Sequence, residues 1–276
     1  MVVHSKKQEK MTLSVIGCGN MGGALLRSWV NRPDIGSIYI VDPSGVPDDL
    51  KDSKIAFHVK RAADIEFESC DLVVLAVKPQ IMEMVCTELA NIKPVNVPVL
   101  SIAAGVTISN FQSWLGAETP VIRSMPNTPA SIGQGISALC TNKYVNDEIK
   151  ALSEQLLSAA GKTVWIEDEE KMDAVTAISG SGPAYVFYFI EALTKAAIEI
   201  GLPQDVAEQL ARQTVVGAGA LAGSNNDITA STLRENVTSP GGTTAAALDV
   251  FMDGRLQDIV TEAAQAAEKR GKELSS

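Results

Sequence analysis

Thr12-Leu13-Ser14-Val15-Ile16-Gly17-Cys18-Gly19-Asn20-Met21-Gly22-Gly23-Ala24-Leu25-Leu26-Arg27-Ser28-Trp29-Val30 is the stretch that decides the fold of this chain. A short apolar run comes first, then Gly17, Gly19 and Gly22 in G-x-G-x-x-G spacing, then apolar residues at helical spacing. Such glycines permit a tight turn, a close backbone approach to a pyrophosphate and close helix–strand packing, while the helix N-terminus faces the phosphates. The spacing alone is a weak signal. The next segment strengthens it: Ser37–Val41 reads as a second strand, ending at Asp42 about twenty residues after Gly22, where such folds read a ribose.

Two dinucleotides fit this tip. Asp42 favours the 2′-hydroxyl of NADH, because a carboxylate repels a 2′-phosphate. Pro43-Ser44-Gly45 comes at once, however, and Ser44 with nearby N–H groups offers a seat for that phosphate. No arginine stands in this tip to neutralise it, so the sequence leaves NADPH against NADH open.

Further along, Asp71–Val77 has the apolar pattern of a buried strand. Lys78-Pro79 ends it at the carboxyl edge of the expected sheet, where ligands of doubly wound folds collect. Val99–Ile102 is another strand, running into Ala103-Ala104-Gly105-Val106, small enough for a nicotinamide to lie flat on the backbone. Met125-Pro126-Asn127-Thr128-Pro129 is a proline-stiffened loop at the same edge. Lys162–Ile166 reads as a last strand. The expected architecture is therefore α/β, with a mostly parallel sheet and a dinucleotide-binding, Rossmann-type domain over residues 11–170.

After Glu167-Asp168-Glu169-Glu170 the pattern becomes helical, and residues 171–276 are expected to form a second, all-helical domain. Ser179-Gly180-Ser181-Gly182-Pro183 opens a helix from Ala184 to about Ile200 that is apolar nearly all round and needs burial on several sides. Gly201 with Pro203 is a stop signal. A unit of roughly a hundred residues is small for so apolar a helix, so burial against a second copy of the chain is expected. Within this unit, Asn236-Val237-Thr238-Ser239-Pro240-Gly241-Gly242-Thr243-Thr244 is a glycine-kinked loop with four hydroxyl side chains that feeds a helix. On its own it reads as a helix cap. Its free N–H groups also suit a carboxylate.

Composition narrows the function. The 276 residues carry a net charge of −10 and are 46% hydrophobic. That balance argues against a nucleic-acid or anionic-membrane partner and for a cytoplasmic metabolic enzyme with sizeable cores. No apolar run is long enough to span a bilayer. Residues 1–10 are polar and lack an apolar core, and with a second possible start at Met11, just before the first strand, they read as a disordered or expression-derived tail. Cys18, Cys70, Cys86 and Cys140 are scattered without metal-ligand spacing, so neither a metal site nor disulfides are expected. Only His4 and His58 are present, which leaves a histidine acid–base almost no candidate.

Six segments together carry a specific resemblance: Ile16–Gly22, Ala76-Val77-Lys78-Pro79, Ala103–Thr107, Arg123–Pro129, Ser179–Tyr185 and Val237–Thr244. In this order they resemble the Δ1-pyrroline-5-carboxylate reductases, over nearly everything from Met11 onward. The resemblance implies a helical C-terminal domain that interleaves with its mate in a homodimer, five dimers commonly closing into a ring, a decamer. It implies NADPH or NADH as cofactor, no metal, and pyrroline-5-carboxylate as substrate with L-proline as product. It places Gly17, Gly19, Asn20, Met21 and Gly22 on the pyrophosphate. Asp42 reads the ribose from the strand tip, and the resemblance sets Ser44 at the adenosine ribose or its phosphate. Ala76, Lys78, Pro79 and Ala104 line the cofactor path, and Asn236 approaches the nicotinamide end. Val237, Ser239, Gly242, Thr243 and Thr244 hold the substrate, bordered by Glu169. One departure stands out: Arg61-Ala62-Ala63-Asp64 occupies the place where many members carry an asparagine, which puts one adenosine-side contact in doubt.

Reducing a cyclic imine needs a hydride at carbon and a proton at nitrogen. The imine can enter protonated, so orientation and electrostatic support matter more than a strong acid. Thr244, with Ser239 beside it, is the expected catalytic hydroxyl, positioning or relaying that proton; Glu169 is the weaker candidate. Two other readings compete. A β-hydroxyacid dehydrogenase would need a lysine soon after Ser179–Pro183, and none comes before Lys195. A non-catalytic dinucleotide-binding protein would need no hydroxyl loop.

Overall fold

The structure is a computed structural model that describes residues 10–224 and 227–275; residues 1–9 of the expected tail lie outside them. The chain runs β1 (Met11–Ile16), α1 (Asn20–Trp29), β2 (Ile35–Val41), β3 (Ala56–His58), β4 (Leu72–Leu75), α2 (Met82–Ala90), β5 (Val99–Ser101), α3 (Ile108–Leu115), β6 (Val121–Met125), β7 (Gly135–Thr141), α4 (Asp147–Ser158) and β8 (Gly161–Trp165). A short turn of helix, α5 (Met172–Val175), runs into a π-helical turn, Thr176–Gly180. Then come α6 (Gly182–Glu199), α7 (Gln204–Ser224), α8 (Ala230–Asn236), α9 (Thr243–Phe251) and α10 (Arg255–Ser275). The chain divides into two compact units: residues up to Gly180 together with Ala267 onward, and Ser181–Ala266.

The first unit is built on an eight-stranded sheet in the order β3-β2-β1-β4-β5-β6-β7-β8. Parallel strands buried on both faces read as continuous apolar runs, and Leu72–Leu75 shows why. Leu72 and Val74 join a core with α1 and α4, whereas Val73 and Leu75 join a separate one with α2 and α3. Side chains on a strand alternate between faces, so one four-residue strand supplies two cores. The strand order reverses between β1 and β4, and the glycine loop leaves β1 at that switch point, where open α/β sheets bind ligands.

The expected strands are present, but β7 is an addition. It pairs antiparallel with β6, Ile122 opposite Thr141, and parallel with β8. A 3-10 turn at Thr128–Ile132 followed by left-handed Gly133 reverses the chain between β6 and β7. The sequence GISALCT has small and polar residues where β-branched ones signal a strand, so its pairing is set by neighbours rather than by propensity.

One buried cation lies outside the ligand-binding edge. Lys93, in the turn after α2, is 6% exposed and donates from Nζ to the carbonyls of Pro94 (2.7 Å) and Val97 (2.9 Å). Burial pushes its pKa down from the ordinary 10.5 to about 8, opposed only weakly by Cys86. Between those two values the unfolded chain holds a proton that the folded chain has lost, so this lysine makes stability rise with pH there, by up to about 1.4 kcal/mol per pH unit. Below pH 8 its contribution to the slope vanishes. In urea unfolding at pH 7.5, 9 and 10, Lys93→Met is expected to lose this upward slope, and an identical slope in both proteins would refute the assignment.

In the second unit α6 packs on α7. Pro183 fits the first turn of α6, where no N–H is needed, and left-handed Gly201 comes just past its end. No residue of α6 is fully buried within one chain: Phe187 is 59% and Tyr188 71% exposed. Val250, Phe251 and Met252 at the end of α9 stand exposed as well, as do Ile259 and Val260 on α10. So many large apolar side chains left exposed on these helices are the mark of an interface.

Candidate active site

The glycine loop is shaped by what lies beneath it. Gly17 has φ +95°, and a Cβ there would sit 2.8 Å from the backbone carbonyl of Ala76. Gly22 is similarly constrained, since its Cβ would lie 2.9 Å from Gly17 O and 3.0 Å from the Ala76 methyl. The loop therefore rests directly on the end of β4. Gly19 is the N-cap of α1 and no side chain caps it, so the amides of the first turn, including Asn20 and Met21, are available to an anion.

Asp42 at the end of β2 is turned toward the protein. Its Oδ2 accepts from Cys18 N at 2.6 Å and its Oδ1 from Ser44 N at 2.7 Å. The carboxylate thus ties the strand tip to the glycine loop. Burial, with Asp42 next in effect, raises the Cys18 pKa to about 11, so this thiol is protonated and unreactive at neutral pH. The four cysteines are all free.

Gly17, Gly19, Asp42, Ala76 and Lys78 line one cavity of about 430 Å³. The same cavity is bordered by Lys60 and Arg61, which come just after β3. Parallel pairing of β3 with β2, His58 opposite Ile40, carries these two cations from a later segment onto the cavity that Asp42 also lines. Ser44 does not line this cavity. Pro79 and Ala104 line a second cavity of about 500 Å³, together with Asn110, Trp114 and Thr176.

Glu169 belongs to the first unit and is already engaged. Its Oε1 accepts from Ile108 N at 2.8 Å and from Arg123 Nη1 at 2.9 Å. Arg123, on β6, is only 4% exposed. Thr107 caps α3 through a reciprocal capping box with Asn110, which holds Ile108 N in place for this contact. The carboxylate so pins the start of α3 to β6, a use the sequence did not reveal because the partners lie 46 and 61 residues away.

The hydroxyl loop lies in the second unit. Asn236 ends α8, Thr238 Oγ1 donates to Arg234 O at 2.6 Å, and Gly241 takes φ +69°. Gly242 is the N-cap of α9, again without a side-chain cap, and a Cβ on it would overlap Ser239 Oγ. The α9 amides at Thr243 and Thr244 are therefore open to a ligand, with Ser239 against the same turn. In a single chain Val237, Ser239 and Thr243 are exposed, whereas Gly242 and Thr244 are half-buried. Among the described residues no group of His, Cys, Asp or Glu could hold a metal ion, and no helix is long and apolar enough to cross a membrane.

Residues 169–274 match the family model described as pyrroline-5-carboxylate reductase dimerisation, and residues 12–105 match one described as NADP oxidoreductase, coenzyme F420-dependent. The first match spans the helices left exposed in a single chain, and the protein is a homo-oligomer. A pyrroline-5-carboxylate reductase of Pseudomonas aeruginosa is 39% identical over 95% of this chain and 96% of its own length. The solved pyrroline-5-carboxylate reductase of Coxiella burnetii superposes with a TM-score of 0.89 at 36% identity, covering 97% of this chain and all of the other. The Plasmodium falciparum pyrroline carboxylate reductase, solved with NADP bound, gives 0.79 at 31%, covering 98% of this chain and all of the other. With a glycine loop seated on the end of β4 in one unit, an uncapped hydroxyl loop in the other and relatives matched along almost the full length, the chain belongs to the pyrroline-5-carboxylate reductase family.

Proposed function

We propose that this protein reduces Δ1-pyrroline-5-carboxylate to L-proline, using a nicotinamide dinucleotide. The observation that carries the reading is full-length relationship to reductases of this name, at 39% identity in one case, together with the open helix start at Gly242. The bound nicotinamide supplies the hydride. The first turn of α9 receives the substrate carboxylate on its amides, with Ser239 and Thr243 adding hydroxyl contacts. Thr244 Oγ1 holds the ring nitrogen and positions or relays its proton. Glu169, already holding Ile108 N and Arg123, is assigned a positioning role rather than that of proton donor.

Asn20 and Met21 lie over the pyrophosphate with the glycine loop, Pro79 and Ala104 line the path toward the nicotinamide, Asn236 approaches the nicotinamide end, and Val237 and Gly242 help to hold the substrate. The dimer extends to a decamer of five dimers, tested by sedimentation mass, and the acidic balance fits a cytoplasmic enzyme. A β-hydroxyacid dehydrogenase is not favoured. The first lysine after Ser179–Pro183 is Lys195, whose side chain is 80% exposed and paired with Glu199.

The decisive assay monitors oxidation of NADPH and of NADH when pyrroline-5-carboxylate is added. Turnover with either supports the reading; cofactor binding without turnover, or faster oxidation of a 3-hydroxy acid, defeats it. In the same assay Thr244→Ala is expected to lower kcat/KM about 10- to 100-fold, the loss of one hydrogen bond to a charged group at roughly 1.5–3 kcal/mol. A change within twofold would remove Thr244 from the chemistry.

A further inference from the structure

The adenosine end of the cofactor cavity carries a selectivity device that its sequence motif conceals. A carboxylate at the end of the second strand reads a ribose 2′-hydroxyl when its oxygens face the ligand. Here both oxygens of Asp42 already accept backbone N–H groups, from Cys18 at 2.6 Å and Ser44 at 2.7 Å. Those donors offset part of its charge, so its repulsion of a nearby phosphate is weakened. His58 Nε2 lies 3.1 Å from Asp42 O, which fastens the end of β3 to the same tip.

Two residues beyond His58 the chain places Lys60 and then Arg61 on the wall of the cavity that holds Gly17, Gly19, Asp42 and Pro43. Among the described residues no carboxylate pairs with Lys60. Arg61 is held in a fork by Asp64, with Nη2 at 2.7 Å and Nε at 3.4 Å, which orders its guanidinium at the rim. Glu88 borders the cavity as well, as does Lys78. We infer that Lys60 and Arg61 receive the 2′-phosphate of the adenosine ribose and make NADPH the preferred dinucleotide, with Asp42 serving as a loop clamp rather than as a ribose reader. A phosphate dianion between a free ammonium and an ordered guanidinium gains contacts that a 2′-hydroxyl cannot make.

The inference rests on the dinucleotide site of the first unit and not on the substrate. It is tested by binding to the full chain, apart from turnover. Calorimetric titrations would compare NADPH with NADH, and adenosine 2′,5′-bisphosphate with 5′-AMP, in wild type and in Lys60→Gln/Arg61→Gln. Wild type is expected to bind each 2′-phosphorylated ligand at least tenfold more tightly than its counterpart, and the double variant to bring that ratio below threefold. The wild-type NADPH preference should also shrink as salt is raised. Equal affinity of wild type for both dinucleotides, or a ratio unchanged in the variant, overturns the inference. Failure of the reductase assay would leave these ratios untouched, so the two readings fall separately.

Discussion

Gly17→Ala is expected to lower dinucleotide affinity at least a hundredfold and to destabilise the first unit by about 3 kcal/mol or more. Two causes add. A non-glycine residue at φ +95° costs roughly 1–2 kcal/mol, and its Cβ would press within 2.8 Å of the Ala76 carbonyl, which belongs to the chain directly after a buried central strand. Neither neighbour can yield without moving β4 or lifting the loop off the sheet. Gly45 supplies the control, because it has φ +77° but nothing within 4 Å of its Cβ position. Gly45→Ala should therefore show backbone strain alone, about 1 kcal/mol, with NADPH affinity changed less than Gly17→Ala changes it. Fluorescence titration with NADPH and urea unfolding would measure both. Retention of wild-type affinity within threefold by Gly17→Ala would mean that the loop is not the pyrophosphate cradle.

Glu169→Ala should cost about 2–3 kcal/mol of stability in urea unfolding. Breaking a buried ion pair from one side leaves the other charge uncompensated, an effect of roughly 3–5 kcal/mol, reduced here because the Glu169 side chain is 29% exposed whereas that of Arg123 is 5% exposed. The double variant Arg123→Met/Glu169→Ala removes the stranded cation and should recover part of the loss. If Glu169 instead served only to border the substrate, KM would rise with stability unchanged. Stability and KM together thus discriminate a fastening of α3 to β6 from a direct contact.

How much was legible depended on whether a residue's partners were close in sequence. The glycine turn, the strand that precedes it and Asp42 form one local unit, and their reading needed no knowledge of the rest of the chain. The loop before α9 was legible for the same reason: Gly242 followed by an apolar run marks a helix start, and the helix begins at Thr243. By contrast, β7 depends on β6 and β8 for its existence. Lys60 and Arg61 reach the cavity lined by Gly17 and Asp42 only because β3 pairs alongside β2. Arg123 and Glu169 meet across a gap of 46 residues. Even Asp42, placed well from its spacing, spends its oxygens on Cys18 and Ser44, since a side chain's orientation is decided by donors that no pattern reveals.

The exposed apolar side chains of α6, α9 and α10 carry a consequence at the level of a population of molecules. If one chain lends its neighbour the cover that its own helices lack, then folding is a joint property and not a private one. A defect in the helical unit of one copy is therefore inherited by the sound copy that pairs with it. In a cell making both, the damaged form would act on the whole pool, and the harm would exceed its share of the chains.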